Sequence, residues 1–347
     1  KYNFTLIVVD QQNTVPEDLK DITSLVDEDE QKNTNEMALK KAILDITKIE
    51  KIELDLAKLE KIELDLDSIE RIVQSLKDDI KKITVGDKPV ELKPTFEDMI
   101  FVKGGKYQPS FTDEEKEVSN LEVCKYLTTQ KLWQELIGNN PANFKGDENR
   151  PIEYISWWHA LEFCNRLSEK YGLRPVYNLG KSDQGLLMIN QLDGSVVYPD
   201  IADFNKTEGF RLPTEVEWEW FARGGQVAIE NGTFNYTYSG SNNIDDVAWY
   251  TGNSKDTTQN VGLKMPNILG LYDCNGNVWE WCYDTTESIE SGKSYVYKAY
   301  DHSNVYRRLK GGSWCNNTEV CAVAVRGNSQ ATYAYSNAGF RIVRTVL

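Results

Sequence analysis

From Leu39 to Ile83 apolar residues recur every three or four positions, through Ile43, Ile46, Ile49, Ile52, Leu56, Leu59, Ile62, Leu66, Ile69, Val73, Leu76 and Ile80. This spacing predicts one face of a long helix, a helical or coiled stalk over residues 37 to 95 that could self-associate through residues 37 to 83. Inside it, Lys51-Ile52-Glu53-Leu54-Asp55-Leu56 returns as Lys61-Ile62-Glu63-Leu64-Asp65-Leu66, whose local alternation also suits a short strand. Residues 1 to 36 open on an alternating, strand-like Tyr2 to Val9 and become an acidic linker through Asp27-Glu28-Asp29-Glu30. Gly86, Pro89 and Pro94 interrupt the helical pattern, so a second domain is expected over residues 96 to 347.

In that second region helical and strand-like spacings both occur. Trp157, Leu161, Cys164 and Leu167 lie on one helical face. Val216, Trp220 and Phe221 do the same after Thr214, a cap residue with Glu217 at the capping-box position. Trp279 and Trp281 alternate as in a strand, and Trp314 is expected to pack nearby.

The last forty residues read differently. Lys310-Gly311-Gly312-Ser313-Trp314 opens a run, Cys315 to Ala338, that holds only Glu319 and Arg326 as charged residues and closes on Gly339-Phe340-Arg341. Apolar and aromatic residues (Val320, Ala322, Val325, Tyr333, Tyr335) are scattered without period among Asn316, Asn317, Gly327, Asn328, Ser329, Ser336 and Asn337. Tyrosine with small polar residues is the vocabulary of adaptable binding surfaces. These twelve are the candidate ligand-binding residues, and Gly311, Gly312, Trp314 and Arg341 are the candidate structural frame.

Charge and composition narrow the chemistry. The net charge is −15 and the pI about 4.8, with no basic stripe, so nucleic acid is not an expected partner. No apolar run approaches the ~18 residues of a membrane span. With only His159 and His302, a histidine-based hydrolase or a multi-histidine metal site is poorly supported. The six cysteines show no zinc-type pairs. Asp273, Asn275, Asn277 and Glu280 crowd hard oxygens into a short stretch, as in a structural calcium site, but a hydrogen-bonded turn is the preferred reading and no cofactor is expected.

Several strings in order carry a family resemblance. They are Phe101-Val102-Lys103-Gly104-Gly105, Thr129-Gln130-Lys131-Leu132-Trp133, Pro151-Ile152-Glu153-Tyr154-Ile155-Ser156-Trp157, and Phe210-Arg211-Leu212-Pro213-Thr214-Glu215-Val216-Glu217-Trp218. Asn267-Ile268-Leu269-Gly270-Leu271-Tyr272-Asp273, Gly276-Asn277-Val278-Trp279-Glu280-Trp281 and the Gly-Gly-Ser-Trp and Gly-Phe-Arg elements complete the set. From about Met99 to Thr345 the chain resembles the formylglycine-generating-enzyme/sulfatase-modifying-factor family. The resemblance implies an α+β fold, the enlarged form of the C-type-lectin-like fold. Oxidases of this family bind copper through two cysteines five positions apart, whereas Cys315 and Cys321 are six apart.

Within the wider fold, the chain resembles the variable proteins of diversity-generating retroelements, in particular treponemal surface lipoproteins. Adenine randomisation of AAY codons cannot yield Glu, Gln, Lys, Met or Trp, and the run from Cys315 to Ala338 contains only Glu319 and Gln330 of that set. The resemblance implies a non-enzymatic protein at the cell surface, lipid-anchored ahead of Lys1, presenting a diversified site to an unknown protein or cell-surface ligand. A copper-dependent oxidase and an undiversified adhesion module are the alternatives.

Overall fold

The computed structural model describes residues 84–85, 88–89, 96–179, 187–199, 202–286 and 306–346. The chain divides into two compact units, Lys1–Lys93 and Pro94–Leu347. Of the first, the described part is an antiparallel pairing of Thr84–Val85 with Lys88–Pro89. The expected strand and acidic linker of residues 1 to 36, and the expected stalk of residues 37 to 95 as far as residue 83, lie outside the described residues. The described residues inside the stalk range are the paired strands Thr84–Val85 and Lys88–Pro89 rather than helix.

The second unit mixes helices with small sheets. Strands β1 (Met99–Val102) and β2 (Leu121–Cys124) pair antiparallel. Helix α1 (Gln130–Ile137) starts at Thr129, whose side chain accepts the Leu132 N–H, and ends at Gly138 with φ of 89°. Helix α2 (Trp157–Lys170) is capped by Ser156, with His159 returning the bond to the Ser156 N–H. One of the two histidines is thus a capping residue. Helix α3 (Glu215–Ala222) carries the expected box between Thr214 and Glu217.

Strands β3 (Trp279–Thr285), β4 (Tyr306–Lys310), β5 (Arg326–Gln330) and β6 (Ala338–Gly339) form one sheet in the order β5-β4-β3-β6, with β6 parallel to β3. β7 (Val343–Thr345) returns to pair with β2.

The core gathers α1, α2 and the central sheet. Trp133 stacks on Phe163 at 5.4 Å, and Phe340 meets both rings edge-on. Helix α3 is buried nearly all round rather than on one face. Glu215, Glu217 and Glu219 are buried beside Trp218, Trp220 and Phe221, whereas Val216 is half-exposed. Apolar spacing alone misplaces this helix because cations neutralise its acids. Arg211 grips Glu217 through two 2.7 Å bonds, and Lys310 lies 3.4 Å from Glu219 with both side chains fully buried. Burial alone would raise the Glu217 carboxyl, but the Arg211 guanidinium outweighs it and holds that group below the usual carboxylate range.

Candidate presentation surface

The run from Cys315 to Ala338 is launched by two glycines that accept no substitute. Gly311 and Gly312 have φ of 90° and 74°. A Cβ on Gly311 would sit 2.5 Å from the Cys274 carbonyl oxygen, and one on Gly312 would sit 2.7 Å from the Cys321 sulfur. Trp314 then ties the two ends of the run together. Its N–H donates to Asn277 O, its ring meets Phe144 edge-on at 5.2 Å, and its indole N–H donates to Ser336 O at 3.1 Å. The ring partner is therefore Phe144, a residue outside the expected tryptophan group.

Arg341 closes the frame. Its guanidinium makes two 3.0 Å bonds to Glu280 and donates to the carbonyls of Cys124, Lys125 and Tyr272. Arg341 and Glu280 are both fully buried.

Between these ends, groups outside the run hold its backbone through its carbonyl oxygens. Thr251 N–H donates to Asn316 O, Tyr238 OH to Thr318 O, and the Asn275 amide to Cys321 O at 2.6 Å. Ser110 Oγ donates to Ala324 O, Trp157 N–H to Ala331 O, Tyr154 N–H to Tyr335 O at 2.9 Å, and Trp279 N–H to Asn337 O at 2.8 Å. None of these acceptors depends on the side chain of the residue that carries it.

The structure sorts the twelve candidate residues. Asn317, Asn328, Tyr333 and Tyr335 are exposed, and the two tyrosine rings meet edge-on at 6.0 Å. Asn316, Ala322, Ser336 and Asn337 are half-buried. Four others also make packing contacts. Val320 and Val325 lie against the main core, Ser329 is buried, and a Cβ on Gly327 would come within 3.1 Å of the Trp279 ring. For Gly327 and Ser329 the reason is the sheet: β5 pairs with β4 along its whole length, so alternate residues are turned inward.

Two exposed aromatic residues belong to the same surface although they lie outside the run. Tyr154 is 52% exposed with φ of 61°, an unusual conformation for a non-glycine residue, and its N–H bonds to Tyr335. Tyr306 pairs in register with Gln330 and accepts a bond from its amide at 3.4 Å. A positive φ at tyrosine leaves no mark in a sequence, so Tyr154 was not legible as a site residue.

The oxygens considered for calcium are occupied by protein donors. Asp273 accepts from Gly262 N–H, Asn275 from Ser239 N–H, Asn277 from Gln259 N–H, and Glu280 from Arg341. Burial pushes the Asp273 carboxyl up to about 6, as for an acid with little compensating positive charge. Among the described residues no three His, Cys, Asp or Glu side chains are placed to hold a metal ion. Cys315 is exposed, with Ser313 Oγ and the Asn337 amide each 3.4 Å from its sulfur. Cys321 is buried, and that burial pushes its thiol up to about 12.

This fold and frame define a class. A family model described as the sulfatase-modifying factor enzyme 1-like domain matches residues 86–346, and the chain belongs to that family. Within it, the chain is 34% identical over 269 residues to "Chaperone protein LppX" of Paenibacillus barcinonensis, a match covering 72% of this chain and 90% of that protein. The formylglycine-generating enzyme of Thermomonospora curvata is 30% identical over 171 residues, which is 42% of this chain and 53% of the enzyme. The match therefore spans about half of that enzyme. Among solved structures, Treponema denticola variable protein 1 is 31% identical with a TM-score of 0.55, covering 75% of this chain and 100% of that one.

Proposed function

We propose that residues 96 to 347 form a C-type-lectin-like binding domain, without catalytic activity, that presents the exposed side chains of residues 315 to 338 to a protein or cell-surface ligand. The observation that carries this reading is the mode of anchoring. Much of the run is fixed by its own carbonyl oxygens, so exposed side chains such as Asn328, Tyr333 and Tyr335 are free to change without moving the backbone, whereas Asn317 Oδ1 accepts the Val320 N–H at 3.0 Å. Buried aromatic contact from Tyr333 and Tyr335 is the natural source of affinity. The likeness to a protein named Treponema denticola variable protein 1 supports a variable run. Diversification of that run by a retroelement and lipid-anchored display at the cell surface complete the proposal.

Sequencing the 3′ end of the gene and its flanks in several isolates tests the reading. Adenine-templated substitutions confined to codons 315 to 338, beside a reverse-transcriptase gene, are the expected result. An invariant run without that neighbour overturns diversification. The second reading, a copper-dependent oxidase, draws on the similarity to formylglycine-generating enzymes and on the exposed Cys315 thiol. Stoichiometric Cu(I) uptake that disappears in Cys315→Ala would favour it.

A further inference from the structure

Beneath the far end of the run lies a carboxylate that the binding surface itself does not use. Glu153 is 0% exposed. Its Oε1 accepts the Phe144 N–H at 2.7 Å, and the Asn143 N–H also bonds to the carboxyl. Its Oε2 is buried and, among the described residues, has no hydrogen-bond partner. The charged groups acting on it are Lys145 and Arg150, and both favour the ionised form. From α1 the facing group is the Gln130 amide, which does not titrate and donates to Phe144 O and Pro151 O. Two buried side chains thus hold the segment of residues 138 to 147 from its inner side.

The segment has a mechanical link to the run. Phe144 carries the ring on which Trp314 rests, and Trp314 donates to Ser336 O. On the other side of Glu153, the adjacent Tyr154 holds Tyr335 O through its N–H. The orphaned oxygen is the weak point. As a buried anion it lacks half of its hydrogen bonds, whereas water would satisfy it fully if the segment opened.

We infer that Glu153 is a positioning residue whose proton governs how firmly residues 138 to 147, and through Phe144 and Trp314 the 335 to 337 end of the run, are held closed. The sign follows from linkage. Burial pushes the Glu153 carboxyl up to about 7 in the closed segment, against an ordinary value near 4.5 when hydrated. The closed form is therefore fully favoured below about 4.5, and its advantage declines as pH rises to about 7. The presentation surface is firm in mildly acidic surroundings and looser above neutrality. Its bearing on ligand binding rests on the function proposed above, but the ordering itself does not.

Amide hydrogen exchange on the whole chain tests this, with intrinsic rates corrected at each pH. Protection of residues 138–147 and 331–338 is expected to fall on the order of a hundredfold from pH 5 to pH 8, while α2 changes far less. Glu153→Gln keeps the acceptor oxygen, removes the charge and should hold the pH 5 level throughout. A Glu153→Gln protein that retains the step overturns the assignment, as does a wild-type protein with no step. Phe144→Ala should keep the step in residues 138–147 and lose it in residues 331–338. Persistence of the second step overturns transmission through Trp314. Because exchange reads order rather than ligand, a run that proves invariant among isolates leaves these outcomes unchanged.

Discussion

Tyr335 and Arg341 lie close together in the chain and are held in opposite ways. Tyr335 is fixed by what its carbonyl accepts from Tyr154, while its side chain stands 42% exposed. Arg341 is fixed by its side chain, fully buried, with Glu280 and three backbone carbonyls around the guanidinium. The same division separates the exposed positions of the run from the frame. At those positions identity and position are uncoupled; in the frame, and at the run's buried Cys321, Val323, Ser329 and Ala331, they are inseparable. A surface that presents and a core that persists need these two regimes, and they meet at Gly339-Phe340.

The comparison breaks most severely at Arg341. Replacing it with Leu leaves Glu280 as an unpaired buried anion, an effect of about 3–5 kcal/mol. Urea unfolding should show the loss, and a change below ~1 kcal/mol would mean that the pair is not structural. Gly312→Ala should come next, because it combines a positive φ with a 2.7 Å approach to Cys321. A loss of about 2 kcal/mol is expected in the same assay.

Solution pH sharpens the contrast at an intermediate level. Besides Glu153, burial pushes Asp273 and Asp284 up to about 6. A raised acid contributes stability that is complete below its unfolded value and is lost as pH climbs through the folded one, by up to about 1.4 kcal/mol per unit per group. Glu217 and Glu219 act in the opposite sense. Burial would raise both, yet Arg211, and Lys310 with Arg223, hold them low, so their contribution disappears as pH falls below the ordinary carboxylate range. Unfolding midpoints should therefore peak at about pH 4 to 4.5 and decline until about pH 7. A monotonic rise to pH 8 would refute the assignment.

Within the run, Gly327→Ala should cost about 1 kcal/mol through its contact with the Trp279 ring. Asn328→Ala beside it should be close to neutral. The smallest expected effect is the double change Tyr333→Ala with Tyr335→Ala, which should shift the melting temperature by no more than about 2 °C while removing ligand contact. Unfolding of that variant would reassign the pair to the core.

How much of this could be read from residues alone depended on whether a position is governed by local or distant partners. The Thr214–Glu217 box and the buried face through Trp157, Leu161, Cys164 and Leu167 are local patterns, and they stand as read. The burial of Glu215 and Glu219 was not legible, because Arg326 and Lys310, about a hundred residues away in sequence, are what make it tolerable. Gly327 looked exchangeable because its neighbour Trp279 approaches only across a sheet. Tyr154 and Phe144 were passed over for the same reason. Their partners, Tyr335 and Trp314, are set by tertiary contact rather than by spacing.

One consequence of the carbonyl anchors concerns spelling rather than strength. Every amino acid carries a carbonyl, so the anchors at Thr318, Tyr335 and Asn337, which are not buried, keep their bonds whatever residue carries them, while Cys321 and Ala331 are buried and tolerate little change. A further restriction falls on the other half of the peptide unit. Val323 donates its N–H to Thr237 O and Tyr333 donates to Gln330 O, so proline is the excluded letter there. A peptide library written into this run would keep the buried Cys321, Val323, Ser329 and Ala331 and the ion-paired Arg326, omit proline where an N–H is bonded, and vary the exposed positions freely.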